Sequence, residues 1–247
     1  MNPYIRWRNT FINKHFRFLA RFVGKALSEY SMVQDKDKIL VGISGGKDSL
    51  SCLHLLDYHR SKAPFRFEII ACHVDLGFSQ FLKEGLKDHL ERFGFSYVFK
   101  EEPLLKEKES GSFGCFWCSW NRRKILFKTC KEFGCNKLAL AHHLDDIIQT
   151  TLLNLVFHGE VSTCPPSLEF FGGDLKLIRP LCLVEEEDLR RFARNLGLPF
   201  SDYKCPYKDN VQRDYIKDFI EKLSKDYPYI KANIFRSLRR IREGYLV

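Results

Sequence analysis

The chain has 247 residues, of which 45% are hydrophobic, 14% aromatic and 29% charged, with a formal net charge of +9. This composition supplies a full core for one ordinary domain with small additions and excludes a disordered chain. The longest apolar runs, Ile39–Ile43 and Leu138–Ala141, are strand-length, which excludes a transmembrane helix.

The excess cations sit at the two ends. Residues 1–30 hold six Lys/Arg against Glu29 alone, and residues 204–247 hold eleven against six acids. Aromatics stand among them (Tyr4, Trp7, Phe11, Phe16). Basic ends with interleaved aromatics suit a polyanion, because cations neutralise phosphates and rings stack on unpaired bases. A solvated helix face on a basic protein is the equal alternative. The opening MNPYIRWRNTFINKHF has no unbroken apolar segment of the secretory kind, so the cytoplasm is the expected location and no membrane partner is expected. Nine cysteines, an odd number, argue against a disulfide framework.

In chain order, residues 5–32 read as an amphipathic helix with Phe11, Phe16, Leu19, Phe22, Val23 and Leu27 on one side. A strand over Ile39–Ile43 leads to a helix over Ser49–Arg60, then a strand over Phe67–Val74 and a helix over Gln80–Phe93. Ser96–Phe99 is a third strand, and polar Lys106–Gly114 follows. Helix Ser119–Phe133, strand Lys137–Ala141 and helix Asp145–Phe157 come next. His158–Gly173, rich in Gly, Pro and Ser, reads as a loop or flap. Strand Leu175–Ile178 and helices Glu185–Asn195, Val211–Leu223 and Ile230–Arg242 complete the chain. Alternating strands and helices predict an α/β fold with an open, mostly parallel sheet and helices on both faces, plus basic N- and C-terminal helices. The expected division is a basic N-terminal helix over 1–34, an α/β domain over 35–200 and a cysteine-containing basic helical segment over 201–247.

At the end of the first strand stands Ser44-Gly45-Gly46-Lys47-Asp48-Ser49. The glycines let the backbone approach a ligand, the next helix offers unpaired N–H groups to an anion, and Ser44, Ser49 and Lys47 add donors. The spacing is not that of a Walker A loop, since Lys follows the glycine pair directly. Asp145-Asp146 also follow a strand and open a helix. Carboxylates there can hold Mg²⁺ or act on a substrate, Asp48 is a further Mg²⁺ candidate, and a helix N-cap is the structural role expected for one of the pair. Cys115-Phe-Trp-Cys118 heads a helix and can present two thiolates to one metal centre, with Cys205 as third ligand. Zinc and an iron–sulfur cluster both fit three thiolates.

The S-G-G-K-D-S turn resembles the signature of the PP-loop ATP pyrophosphatases, which have the adenine nucleotide alpha hydrolase-like fold. The ordered set SGGKDS, C-x-x-C-x-x-x-R-R, A-H-H-L-D-D, Ile178–Leu181 and Cys205–Arg213 is similar to the tRNA 2-thiocytidine synthetase (TtcA) family from about Arg21 to Leu246. His73–Phe78 matches the family's loop after the second strand only loosely, and His158–Gly173 is not diagnostic. The resemblance implies ATP-dependent adenylation of the C2 oxygen of a tRNA cytidine, at position 32 of the anticodon loop, followed by its replacement with sulfur. AMP and pyrophosphate would leave. Cys115, Cys118 and Cys205 would hold a 4Fe-4S cluster. Ser44, Gly45, Gly46, Lys47, Asp48, Ser49, Asp75 and His142 would bind ATP or pyrophosphate with Mg²⁺. Lys47, Asp48, Asp145 and Asp146 would serve catalysis. Arg122, Arg123, Arg179 and Arg213 would contact tRNA. A cysteine desulfurase would be the sulfur source, and a homodimer is compatible with the chain without being required. A lysidine-synthetase-like enzyme, a 2-thiouridine-forming thiolase and a zinc-stabilised RNA-binding protein stay open.

Overall fold

The computed structural model describes residues 13–76, 81–102, 115–200 and 211–245. Its strands are β1 (Lys38–Ile43), β2 (Glu68–Asp75), β3 (Ser96–Glu101), β4 (Lys137–Ala139), β5 (Ser167–Phe170) and β6 (Leu175–Ile178). They form one sheet of order β3-β2-β1-β4-β6-β5. All neighbours pair in parallel except β5, which runs antiparallel to β6 along the edge. The expected open, mostly parallel sheet is therefore present.

The helices are α1 (Lys14–Glu29), α2 (Lys47–Lys62), α3 (Phe81–Arg92), α4 (Cys115–Glu132), α5 (Leu144–Leu153), α6 (Glu186–Leu196), α7 (Val211–Asp226) and α8 (Ile230–Ser237). The period-2 alternation of β1 assigns each face its helices. Ile39, Val41 and Ile43 join one buried cluster with Leu19 and Val23 of α1, Leu53 and Leu56 of α2, Leu86 of α3 and Phe192 of α6. Leu40 points the other way, into a second cluster with Ile125 and Leu126 of α4. A third cluster joins Ile148 of α5 to Ile216 and Ile220 of α7. The N-terminal helix thus shares the main core of the sheet. Among the described residues no helix is long and apolar enough to cross a membrane.

Three segments differ from the sequence expectation. The stretch read as a flap, His158–Gly173, contains strand β5; Pro165 and Pro166 before it and the positive-φ glycines 172 and 173 after it confine the strand to four residues. The helix expected to reach Phe157 loosens into a π-turn over Asn154–His158 and stops at Gly159, whose φ is 65°. The helix expected over Ile230–Arg242 ends at Ser237, where Arg239 turns to pair with Glu29 and lies 4.6 Å from the centre of the Tyr30 ring. The expected helix over 5–32 falls partly on residues outside those described.

Candidate nucleotide and sulfur site

Because β2 and β3 lie to one side of β1 while β4 and β6 lie to the other, the strand order reverses between β1 and β4. In open α/β sheets the ligand crevice forms at such a switch point, beyond the strands' carboxyl ends. A cavity of about 270 Å³ lies there. Gly42, Ile43, Ser44, Asp48 and Ser49 line one wall, Leu140, Ala141 and His142 another, and Ser119, Arg122 and Arg123 of α4 the roof. Gly42 allows this closeness: a Cβ there would stand 3.2 Å from Leu140 and 3.3 Å from Leu126.

The phosphate turn is internally braced. Ser49 Oγ accepts from the Ser44 backbone N–H at 3.1 Å and donates to the Gly46 carbonyl at 2.9 Å. Gly45 takes a φ of 83°, open to glycine without strain. Gly46 caps α2 with no side chain on the helix's first N–H groups, so these face the cavity end as an anion would require.

Lys47 donates to two carboxylates, Asp48 Oδ2 and Glu186 Oε1, each at 3.0 Å. Burial would lower the Lys47 pKa, but the two carboxylates raise it above the ordinary lysine value. Burial raises Asp48 despite the nearby His143 and Lys47 charges. Its Oδ1 is buried with no hydrogen-bond partner. An orphaned carboxylate oxygen beside the phosphate turn fits a Mg²⁺ ligand. Glu186 was not anticipated from sequence. Burial would raise its pKa, yet Lys47, Lys217 and His143 hold it down at about 2.

The two acids of the His-His-Leu-Asp-Asp segment part ways. His143, not an aspartate, caps α5, in a reciprocal capping box with Asp146. Asp145 is buried; it accepts from the Glu186 backbone N–H at 2.7 Å and pairs with Lys231 at 2.6 Å, tying α5 to α6 and α8. Asp146 stays half-buried, paired with Arg213 at 2.9 Å. Asp75, at the end of β2, is half-buried.

Arg122 and Arg123 line the cavity, and the Arg122 Nε is buried without a partner. Arg213 is spent on Asp146 and Gln149. Arg179, expected at the tRNA surface, is instead 4% exposed; its Nε donates to His142 Nδ1 at 3.0 Å and its Nη1 to the Pro165 carbonyl. Burial and this guanidinium lower the His142 pKa to about 4.

Of the expected cluster ligands, Cys118 lies on the first turn of α4, half-buried against the core and adjacent to the cavity-lining Ser119. Cys115 opens the same helix, so the pair falls on one turn at i, i+3 spacing, as two thiolates on one centre require. The Cys115 side chain and Cys205 lie outside the described residues, and among the described residues no three metal-ligating side chains gather. Burial pushes the Cys52, Cys72, Cys130 and Cys182 thiols up, Cys72 and Cys182 to about 12, so these behave as core side chains.

Residues 119–223 match the family model of the PP-loop domain. The tRNA-cytidine(32) 2-sulfurtransferase of Syntrophotalea carbinolica is 36% identical over 238 residues, covering 94% of this chain and 92% of the relative. The chain belongs to the tRNA-cytidine(32) 2-sulfurtransferase family. Relatives of the same name from Geotalea daltonii and Ralstonia pickettii are both 37% identical, covering 94% and 96% of this chain and 94% and 78% of theirs. Among solved structures, the U34-tRNA thiolase NcsA from Methanococcus maripaludis with its 4Fe-4S cluster aligns at a TM-score of 0.77 and 26% identity, over 92% of this chain and 78% of its own. The NMN synthetase of Francisella tularensis shares the fold at a TM-score of 0.53 and 12% identity, over 85% of this chain and 87% of its own. Membership of the sulfurtransferase family removes the lysidine-synthetase-like and non-catalytic readings.

Proposed function

We propose that this protein is an ATP-dependent tRNA sulfurtransferase that replaces the C2 oxygen of cytidine 32 with sulfur, releasing AMP and pyrophosphate. The observation that carries the reading is near-full-length similarity to sulfurtransferases, in a chain whose phosphate turn and Cys118-bearing helix border one cavity.

The carbonyl oxygen of a pyrimidine is a poor leaving group, and adenylation makes it a good one. ATP lies with its phosphates at the Gly46 end of α2 and against Lys47, while the base oxygen attacks the α-phosphorus. Asp48 and Asp146 would hold Mg²⁺, which would supply charge compensation for the departing pyrophosphate. Arg122 and Arg123, on the cavity roof, bind the nucleotide or the anticodon loop. His142 is neutral. Its Nδ1 accepts from Arg179, so the proton sits on Nε2, making the ring a fixed donor and not a base. Arg179 therefore acts through His142 and not on tRNA.

Cys115, Cys118 and Cys205 would hold the 4Fe-4S cluster, which would supply the sulfur-carrying centre when bound. The tRNA backbone meets the exposed cations of α1 and the C-terminal helices, where Tyr215, Phe219 and Tyr229 are also exposed to stack on unpaired bases. A cysteine desulfurase is the sulfur source, the location is the cytoplasm, and a homodimer is compatible with this surface. The test is reconstitution: anaerobically purified protein, ATP, Mg²⁺, sulfide and tRNA should yield AMP, pyrophosphate and 2-thiocytidine in equal amounts. ATP cleavage without thiolation would sink the reading.

A further inference from the structure

We propose that Glu186 is a release residue: it competes with pyrophosphate for Lys47 and reclaims that lysine once the chemistry is done. The inference rests on the reading of Lys47 as the pyrophosphate-holding cation.

Glu186 comes from the first turn of α6, 139 residues from Lys47 in sequence, and its Oε1 stands 3.0 Å from the lysine Nζ. The contact joins the phosphate turn to α6, which packs beside α2 on the same face of the sheet. It is also kept in reserve, because Glu186 has two further cationic partners. Arg190 Nη2 reaches the same Oε1 at 3.0 Å, and Lys217 Nζ lies 3.6 Å from Oε2. When phosphate draws Lys47 away, Arg190 and Lys217 still compensate the carboxylate, so no buried charge is stranded. Asp48, the other partner, would hold Mg²⁺ in that state through its unpartnered Oδ1. Lys47 thus has two alternatives of similar geometry, a carboxylate pair without ligand and a phosphate pair with it. A lysine held by nothing in the empty site would bind product as tightly as it aids the leaving group. A competing carboxylate weakens the hold on a free, fully charged pyrophosphate, which speeds its departure. Glu186 is therefore a positioning residue acting through Lys47.

The experiment is titration of magnesium pyrophosphate into the full-length holoprotein by calorimetry, with pyrophosphate inhibition of turnover measured in parallel. Glu186→Gln should bind pyrophosphate about three- to fivefold more tightly, the scale of one partly exposed ion pair, and be inhibited by it correspondingly more. Glu187→Gln removes the same charge from the same turn without touching Lys47, and should stay within about twofold of the parent protein. Lys47→Ala should weaken binding by about tenfold or more and erase the gain in the double variant. Glu186→Asp, which keeps the charge but shortens its reach, should fall between parent and Gln, and it serves if the Gln variant folds poorly. Unchanged or weaker binding by Glu186→Gln, with Lys47→Ala weakened, overturns this proposal alone. Equal tightening by Glu187→Gln also overturns it, leaving only net charge. Unchanged binding by Lys47→Ala overturns the reading of Lys47 on which it rests.

Discussion

The Nε of Arg179 donates to Nδ1 of His142 at 3.0 Å, and the same guanidinium reaches the Pro165 carbonyl, so one buried cation fixes both a cavity histidine and the segment before β5. With burial, this charge holds His142 at a pKa of about 4, and the ring is neutral throughout the working range. The parent enzyme should therefore show no limb from His142 in its ATP-cleavage rate between pH 5.5 and 8. Arg179→Gln removes the charge and lets the His142 pKa rise toward its ordinary value of about 6.5. Burial, the larger cause, remains, so the rise is partial and kcat should fall only toward the acid end of the range, while at pH 8 the loss is smaller. Parallel pH profiles for both proteins would contradict the assignment.

Asp145 and Asp146 should separate by the property they affect. Asp145 is 8% exposed and bonded to Lys231 and the α6 N-terminus. Asp145→Asn should cost about 1.5–3 kcal/mol of stability, the range for hydrogen bonds to a charged group, and lower Tm by roughly 2–4 °C per kcal/mol. Asp146→Asn should lose turnover by about 10²-fold or more, the scale of a removed transition-state charge partner, at a smaller cost in Tm. Thermal melts and ATP-cleavage rates on the two variants decide this. A reversed pattern would make Asp145 the metal carboxylate.

What the sequence made legible was local. SGGKDS lies on the β1–α2 turn because glycines, a strand and a helix adjoin within a few residues, and the order of strands and helices implied the sheet. Contacts between distant segments were not legible. Glu186 reads as one of four consecutive acids, Glu185–Asp188, opening a helix, a pattern the helix dipole alone explains; only the packing of α6 beside α2 brings it to Lys47. Arg179 reads as a surface cation because nothing local marks it as buried. His143 takes the cap expected of an aspartate, because its ring can reach the Asp146 N–H while Asp145 turns to Lys231. Strand β5 was hidden by flanking Pro and Gly, which shorten it without preventing pairing with β6.

Buried histidines predict acid sensitivity. His54 and His89 touch through their Nε2 atoms at 2.9 Å, so one nitrogen donates and the other accepts, and both rings cannot be charged together. Burial lowers the His89 pKa to about 4 and also depresses His59. Native rings then bind fewer protons than unfolded ones, so this stability is fully present above about pH 6.5 and is lost as pH falls toward about 4. Urea midpoints should decline through that window, and His89→Gln should decline less steeply than the parent. A pH-independent midpoint would contradict the account.

Cysteine substitutions should divide into two sets. Cys118→Ser should lose most iron and acid-labile sulfide from anaerobically purified protein, with the fold retained by circular dichroism. Cys130→Ala, on the buried side of α4 near its C-terminal end, should keep its iron and lose stability instead. Iron retained in Cys118→Ser would remove that residue from the cluster.

The central claim is tested most directly by mass spectrometry of tRNA nucleosides from cells lacking the gene, complemented with either the parent or the Lys47→Ala chain. The account predicts that 2-thiocytidine disappears on deletion, returns with the parent and stays absent with Lys47→Ala, while other thiolated nucleosides hold steady. Unchanged 2-thiocytidine in the deleted cells would contradict it.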